Sequence, residues 1–472
     1  MTLNATDFMA GCGYKIGKMR SVSRNGIKGP RVHAGGASGI LLWGCVKRVP
    51  SISFHLRLFL LSWLVAMPIA AGPVHAEATS YGAQETHWVD PWAANAAPEA
   101  AAEVPLPEAR TPTLSDRSIA AVTAAIEHYR GIAARGGWGR VAAGERLERG
   151  VRDPRVAQVR ERLIATGDLA ALPGDPVFYD DSVEEAVARY QKRNGLEPDG
   201  IVGRRTIAAM NVPVQTRIRQ LETNLRRISV LMPKLERRHV FVNIAGQEVE
   251  AVNDGVVEFS ERVIVGKQSR QTPEITSQVT SITFNPYWYV PKSIAMADML
   301  PKIRNNPDYL RRQGIRVLQG WDQNIRELDP ANIDWSNPRV NEAYYLRQDP
   351  GPWNSLGSLK INFPNSDAIF LHDTPTKTLF GRQERNFSSG CVRVRNVRGL
   401  VSWLMTADKP DWDATRVDGA VASGHYRNVS LGTPVPIYLV YLTAWAEADG
   451  VVNFRDDVYD RDGSVNTSAL KN

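Results

Sequence analysis

Cysteine is scarce in this chain of 472 residues, which contains only Cys12, Cys45 and Cys391. Three cysteines are too few for a disulfide scaffold or a zinc ribbon. Charged residues make up 23% of the chain and hydrophobic residues 43%, both ordinary for globular domains. This composition excludes a polytopic membrane protein, a collagen-like fibre and a wholly disordered chain. The length predicts about two to four domains.

Acidic residues are almost absent from residues 1–76, which contain nine Lys or Arg and one Asp. The net charge of +7 comes from this segment, because the rest of the chain holds 48 basic and 49 acidic residues. A nearly neutral body gives no electrostatic reason to expect nucleic-acid binding. We therefore predict no nucleic-acid partner.

The same segment has the layout of a secretory signal. A basic flank ending at Arg57 precedes an apolar run over 58–71, and Val74-His75-Ala76 fits a small-x-small cleavage pattern. The run is shorter than the roughly 20 residues that a membrane span needs, and Pro68 interrupts it. We predict a signal peptide over 1–76 and a periplasmic protein; the alternative is an uncleaved leader that anchors it in the inner membrane.

Composition and periodicity divide the remainder into an α+β multidomain chain. Ala, Pro and Glu dominate the segment after the leader, which is predicted to be a flexible tether. Apolar residues at helical spacing then predict a helical scaffold interrupted by a compact helical module, and period-two alternation from His239 predicts a β domain. The predicted boundaries are tether 77–113, scaffold 114–152, module 153–212, scaffold helix 213–237, β domain 238–460 and tail 461–472.

An interruption of the β domain is a candidate lid. Strand signals stop near Lys292, give way to helical and irregular patterns, and resume near Leu359. An insertion of this length, about 292–346, is typical of segments that close over a site.

The residues that carry chemistry are His372, at the end of a short apolar strand, and Cys391, after a Ser-Ser-Gly turn. Imidazole beside a thiol lowers the cost of forming the thiolate and can relay its proton. The turn, with Ser389 and Gly390, can direct backbone N–H groups at one point as an oxyanion hole. Arg393 lies on the same side of its strand as Cys391 and could hold a substrate carboxylate.

Each feature taken alone has a structural alternative. A lone cysteine is most often buried and inert. A histidine at the end of a strand is usually only hydrogen-bonded, and an arginine on a strand is usually solvated or paired with an acid. The combination with Cys391, the only cysteine left after export, favours a catalytic interpretation. His87, His128, His239 and His425 are scattered without ligand spacing, so no metal site is predicted.

Two stretches resemble known families. The string from Ala186 to Leu196, with Asp199-Gly200 and Gly203 to Thr206, resembles the three-helix peptidoglycan-binding domain. His372 with Ser388-Ser389-Gly390-Cys391-Val392-Arg393 resembles the catalytic signature of L,D-transpeptidases with a YkuD-type domain, and is most similar to their large periplasmic subgroup. Asn285-Pro286-Tyr287-Trp288, and Lys360 with Phe363-Pro364-Asn365, are further matching stretches.

The resemblance implies a mostly-β YkuD-type catalytic domain with a helical and irregular lid insertion, preceded by a helical scaffold and a three-helix peptidoglycan-binding module. It implies no cofactor and no metal. It implies that Cys391 is the nucleophile and His372 the general base and acid, and that the backbone of Ser389 and Gly390 forms the oxyanion hole. Substrate contacts are expected from Arg393, Tyr287 and Trp288.

The implied reaction is transfer between peptidoglycan stem peptides. Cys391 would attack the bond between the third residue, a diamino acid, and D-Ala of a donor tetrapeptide, giving a thioester. The side-chain amine of an acceptor stem would then form a 3-3 crosslink, while the helical module binds glycan. The alternatives are an L,D-carboxypeptidase, which hydrolyses the same thioester, and a non-catalytic peptidoglycan-binding protein.

Overall fold

The computed structural model describes residues 111–463, except 172, 307, 321–323 and 338–339. The predicted leader, nearly all of the tether and the end of the tail lie outside these residues. Among the described residues, none of the helices is both long enough and apolar enough to cross a membrane.

Helices form roughly the first third of the described chain. Two of them begin at aspartates that cap the first turn: Asp153 accepts a hydrogen bond from the Arg155 amide, and Asp180 accepts one from the Val183 amide. The helices are α1 (Ser118–Ala134), α2 (Pro154–Ala165), α3 (Asp181–Arg193), α4 (Arg204–Met210) and α5 (Val214–Leu231).

The helices form two separate hydrophobic cores. Helices α2, α3 and α4 enclose one core that includes Leu163, Tyr190 and Met210. Helices α1 and α5 pack against each other in a second core, which also takes in Phe241 and Tyr438 from the β domain. The three-helix module is therefore inserted between two helices that belong together in space.

A nine-stranded sheet forms the β domain, in the order β11-β3-β12-β10-β9-β4-β13-β1-β2. Strand β3 also pairs with β2, so the sheet closes on itself. The strands are β1 (Arg238–Asn243), β2 (Glu248–Asn253), β3 (Val256–Gly266), β4 (Ile275–Phe284), β9 (Leu359–Asn362), β10 (Leu371–His372), β11 (Asn386–Ser388), β12 (Val392–Val394) and β13 (Arg427–Val440). A short hairpin of β14 (Ala444–Ala446) and β15 (Val452–Phe454) follows.

Local sequence explains two features of this domain. The turn between β2 and β3 uses Asp254 and Gly255, at positive φ of 49° and 76°, and the sequence Asn253-Asp254-Gly255 is typical of such hairpin turns. The main core is made by alternate residues of the strands together with α10 (Val397–Thr406), which supplies Leu400 and Leu404. Helix α11 (Ala414–Ala422) adds Val417 to the same core.

The insertion between β4 and β9 has its own sheet and its own core. The sheet order is β5-β8-β6-β7, and buried residues such as Trp288, Met299 and Val317 form the core. The helical and irregular segments were predicted; the sheet was not, because its strands are short and carry Arg316 and Arg347 on adjacent strands. The elements are β5 (Trp288–Tyr289), α6 (Lys292–Ile294), α7 (Leu300–Asn305), α8 (Asp308–Arg312), β6 (Ile315–Gln319), β7 (Arg326–Leu328), α9 (Val340–Ala343) and β8 (Tyr345–Gln348).

Candidate active site

Three neighbouring strands bring the predicted catalytic residues close together. His372 on β10 pairs with Arg393 on β12 in parallel register and with Lys360 on β9 in antiparallel register. Cys391 comes directly before β12, two residues from Arg393. Paired residues on neighbouring strands point to the same face of a sheet. Lys360, His372 and Arg393 therefore form a row across one face.

The opposite face belongs to the core of the β domain. Residues that alternate with the row, such as Ile361, Leu371 and Val392, are fully buried in that core. Phe370, which alternates with Leu371 and is partly buried, instead packs against the core of the insertion. The row thus lies on the face of the sheet that the insertion contacts.

His372 is 5% exposed, and its ring is oriented by the main chain. The ring Nδ1 lies 2.5 Å from the carbonyl oxygen of Asp373. Because a carbonyl only accepts hydrogen bonds, Nδ1 carries the proton and Nε2 presents a lone pair. Burial, together with the nearby charge of Arg393, lowers the pKa of His372 to about 3. The imidazole is therefore neutral and able to accept a proton at neutral pH.

The Asp373 side chain does not take part in orienting His372. Its carboxylate pairs with Lys377 and accepts hydrogen bonds from the amide and the hydroxyl of Ser358, at 3.0 and 2.9 Å. The main-chain carbonyl of Asp373 therefore orients the imidazole, whereas the carboxylate of Asp373 interacts with Lys377 and Ser358.

The Cys391 thiol is also neutral at rest. Burial raises its pKa to about 11, although a main-chain hydrogen bond from Phe370 and the charges of Lys360 and Arg393 oppose the rise. The thiol donates a weak hydrogen bond of 3.9 Å to the Ala368 carbonyl rather than to the imidazole. Ala368 has a φ of +54°, and Asn365 holds this loop by accepting from the Ile369 amide at 2.9 Å.

The turn before Cys391 is held by a set of hydrogen bonds. Gly390 has a φ of +118°, and its carbonyl accepts from Thr272 Oγ1 at 2.8 Å. Its N–H donates to Ser388 Oγ at 3.1 Å, and Ser388 Oγ donates to the Cys391 carbonyl at 2.5 Å. The Gly390 N–H is thus already engaged, so its use in an oxyanion hole remains a prediction, as does that of Ser389.

Arg270 joins this turn to the insertion. It forms an ion pair with Asp298, in the irregular helical turn before α7, and its Nη1 donates to Ser389 Oγ at 3.0 Å. One guanidinium therefore contacts both the residue two positions before Cys391 and the insertion.

Neither Lys360 nor Arg393 forms an ion pair with an acidic side chain in the part of the chain that the structure describes. Nε and Nη1 of Arg393 are buried and have no hydrogen-bond partner within the described residues. Burial lowers the pKa of Arg393 to about 10, and it also lowers the pKa of Lys360. The Lys360 ammonium lies 4.2 Å from the centre of the Phe370 ring.

The two predicted aromatic contacts have different environments. Tyr287 is 36% exposed and packs near Tyr426, with Arg347 over its ring. Trp288 is 6% exposed and belongs to the insertion core. Tyr287 presents part of its side chain to solvent, whereas Trp288 is used for packing; a substrate contact of either remains a prediction.

Sequence reasoning missed the roles of three residues in this site. Lys360 stood in a matching stretch, but nothing local indicated that it would face His372. Arg270 and Phe370 likewise gain their contacts only through pairing of distant strands. The available signal for Lys360 was its position between two apolar residues, Leu359 and Ile361, on a predicted strand.

Other features of the described residues lie apart from this site. They include no cluster of three or more His, Cys, Asp or Glu side chains that could hold a metal ion. A cleft of about 730 Å³ lies within the insertion and is lined by residues that include Arg316, Asp349 and Trp353, but not by Cys391.

Two family models match this chain. Residues 237–437 match the L,D-transpeptidase catalytic domain, YkuD, and residues 152–210 match the "Putative peptidoglycan binding domain". A curated protein of Haemophilus influenzae, named "Putative L,D-transpeptidase", is 36% identical over 231 residues, 49% of this chain and 46% of that protein. The match thus spans about half the length of the curated relative.

Solved structures give weaker similarities. An L,D-transpeptidase from Xylanimonas cellulosilytica is 15% identical, with 63% of this chain and 99% of that chain covered and a TM-score of 0.20. An L,D-transpeptidase from Stackebrandtia nassauensis is 12% identical, with 64% and 96% covered and a TM-score of 0.23. At TM-scores this low, the structural alignments support no further statement about this chain.

Proposed function

Because residues 237–437 match the L,D-transpeptidase catalytic domain family, we propose that this protein forms 3-3 crosslinks between peptidoglycan stems through a thioester on Cys391. The observation that carries the proposal is the pairing of β10 with β12, which sets a neutral, oriented His372 on the strand next to Cys391. A thiol beside a neutral imidazole suits acyl transfer.

The proposed first step is acylation. His372 Nε2 takes the thiol proton as the Cys391 sulfur bonds to the carbonyl carbon of the third stem residue, the diamino acid. The bond to D-Ala breaks, and the D-Ala amine leaves with the proton from His372. Arg393 holds a carboxylate of the donor, and the backbone N–H groups of Ser389 and Gly390 stabilise the oxyanion, which requires the Gly390 N–H to exchange its hydrogen bond with Ser388 Oγ. Loss of one such donor typically raises the barrier by about 3 kcal/mol.

The proposed second step is attack of an acceptor amine on the thioester. The amine loses a proton to His372, the C–S bond breaks, and the thiol is restored. The insertion, which packs on Phe370, supports transfer over hydrolysis because it limits the access of water. Tyr287 and Trp288 are proposed to contact the stems, and the helical module is proposed to bind glycan. This substrate implies a periplasmic location, with export through the leader.

Replacement of the nucleophile tests the proposal. We expect Cys391→Ser to abolish the thioester and reduce crosslinking at least about a thousandfold, because a serine hydroxyl is far less readily ionised. The unmodified protein, incubated with disaccharide-tetrapeptide, should gain the mass of an acyl-tripeptide and then yield a 3-3 dimer. The Cys391→Ser protein should keep its circular dichroism spectrum.

The products separate the alternatives. Tripeptide and free D-Ala without a dimer would identify an L,D-carboxypeptidase. No acyl-enzyme, together with retained binding to purified sacculi, would identify a non-catalytic peptidoglycan-binding protein. Crosslinking by Cys391→Ser at an undiminished rate would contradict the assignment of the nucleophile.

A further inference from the structure

Two cations flank His372, and neither forms an ion pair with a carboxylate of the described residues. Lys360 and Arg393 occupy the paired positions on either side of it, and the nearest acid in sequence, Asp373, is already engaged by Lys377. Two Arg393 nitrogens are buried without a hydrogen-bond acceptor among the described residues, and the Lys360 ammonium contacts the face of the Phe370 ring. Burying charge without a partner is costly, so this arrangement suits a site that receives an anion.

The two side chains are able to converge near Cys391. Their strands are separated by β10, so their backbones lie roughly 10 Å apart, a gap that long side chains can close. The Lys360 ammonium lies over the ring of Phe370, whose carbonyl accepts from the amide of Val392, the residue after Cys391, at 3.2 Å. The backbone of Lys360 is therefore paired with His372, and its ammonium group extends along the sheet towards Cys391.

The resting thiol is not the missing anion. The electrostatic influence of Lys360 and Arg393 reaches the Cys391 sulfur, yet its pKa stays at about 11, so the sulfur is uncharged at neutral pH. In the proposed donor, one carboxylate is fixed close to the attacked carbonyl: that of the leaving D-Ala, whose carboxylate carbon is three covalent bonds away. No other donor carboxylate is tied so closely to the reacting carbon.

We propose that Lys360 is a specificity residue of this site, which binds with Arg393 the free carboxylate of the amino acid that leaves on acylation. This inference rests on the proposed function. It explains why the donor stem must end, with a free carboxylate, one residue after the bond that is cleaved. A longer stem carries an uncharged amide where the carboxylate should be, and leaves both cations unpaired.

The test compares donors that differ only in this charge. Acyl-enzyme formation is followed by mass spectrometry with a tetrapeptide stem ending in a free carboxylate and with its C-terminal amide. We expect the unmodified protein to prefer the acid at least about tenfold, since hydrogen bonds to a charged carboxylate are stronger than those to a neutral amide. Lys360→Met should reduce the preference about tenfold, and Lys360→Arg should retain most of it.

Controls separate specificity from folding and from thiol reactivity. Lys292→Met removes an exposed lysine of the insertion and should leave the preference unchanged. Alkylation by iodoacetamide, an uncharged reagent, reports whether Cys391 remains accessible in Lys360→Met; if this variant does not fold, Lys360→Gln replaces it.

The outcomes are distinct. An unchanged acid-to-amide ratio in a folded Lys360 variant, with both donors slowed equally, would overturn the inference and assign Lys360 to the thiol. Equal rates for the two donors in the unmodified protein would also overturn it. If the unmodified protein forms no thioester with either donor, the proposed function itself fails, and the inference fails with it.

Discussion

Burial sets the protonation of the two groups that carry the proposed chemistry. It favours the uncharged form of each, lowering the pKa of His372 to about 3 and raising that of Cys391 to about 11. The proton therefore rests on sulfur, and the imidazole is free to receive it. In the proposed reaction, charge separates only when the proton moves to His372, and we expect Lys360 and Arg393 to stabilise the thiolate and to disfavour the imidazolium.

The depressed pKa of His372 predicts a loss of stability in acid. The unfolded chain binds a proton at this histidine near pH 6.5 and the folded chain only near pH 3, so stability falls as the pH is lowered between these values. His372→Asn keeps a donor near the Nδ1 position and removes the titration. We expect the thermal midpoint of the unmodified protein to fall relative to this variant between about pH 7.5 and pH 4.5.

The exposed His425 supplies the control for this measurement. His425→Asn should follow the unmodified protein at both pH values. A constant difference between the unmodified protein and His372→Asn across the range would show that His372 titrates normally in the folded state.

Gly390 is a second position where one residue decides the local geometry. Its φ of +118° is unfavourable for any side chain, and a Cβ there would lie 3.2 Å from Ile369 Cδ1. We expect Gly390→Ala to cost about 1–3 kcal/mol of stability and to slow acylation, because the turn that carries Cys391 must shift. Chemical denaturation and single-turnover acylation measure the two effects.

Gly381 is the matched control, since a Cβ at Gly381 would meet nothing within 4 Å. Gly381→Ala should be close to neutral in both assays. Equal effects of the two substitutions would mean that the backbone at Gly390 imposes no special requirement.

At the scale of elements, the site depends on very short strands. Strand β10 has two residues and β12 has three, so neither would hold its position alone. Their neighbours β9 and β3 fix them in register, and the insertion covers their polar face through Phe370. The catalytic turn and the insertion are then connected by Arg270.

The Arg270 connection predicts coupling between the insertion and acylation. Arg270→Gln removes the ion pair with Asp298 and weakens the contact with Ser389. We expect faster hydrogen exchange over residues 292–306 and a decrease in kcat/KM of about tenfold, with a thermal midpoint close to that of the unmodified protein. The side chains of Arg270 and Asp298 are mostly buried. Their ion pair should therefore hold the insertion more strongly than the small contribution of an exposed ion pair would.

Arg311→Gln is the matched control, because Arg311 pairs with Asp308 on the exposed surface of the same insertion. The Arg311→Gln substitution should change neither the hydrogen exchange of residues 292–306 nor kcat/KM. Unchanged exchange in Arg270→Gln would indicate that the insertion is held by its apolar contacts alone.

At the scale of the whole molecule, the described residues fall within one compact unit. Arg193, at the end of α3, forms a buried ion pair with Asp168 inside the module, and its Nη1 donates to the Val452 carbonyl at 3.3 Å. Arg455 returns a hydrogen bond to the Arg193 carbonyl at 3.2 Å. The module is therefore fastened to the hairpin that follows the β domain.

Loss of Arg193 should weaken this attachment. Arg193→Met keeps the apolar stem but leaves Asp168 buried without its partner, which typically costs about 3–5 kcal/mol. We expect a lower midpoint of thermal unfolding, measured by calorimetry. Arg205→Met breaks the exposed pair with Glu384 and should change stability by less than about 0.5 kcal/mol. Similar midpoints for the two variants would contradict a fastening role for Arg193.

Local patterns predicted the fold class well and the insertion only in part. Contiguous residues determine the module helices, the Asp254-Gly255 turn and the alternating apolar pattern of the β domain. These features could therefore be recognised in the sequence. The sheet of the insertion was not, because strands of two to five residues are too short to establish alternation. The domain boundaries and the roles of the site residues remain predictions.

The sequence by itself determined which groups could react: the one cysteine that follows the predicted leader, a histidine at a strand end and a Ser-Ser-Gly turn, all recognisable from residue type and order. Only the tertiary structure decided that His372 is held neutral by burial and by the Asp373 carbonyl, and that Lys360 and Arg393 stand on either side of it. Strand register and burial depend on which distant segments pair. That pairing is decided by the packing of the whole sheet and by no local pattern.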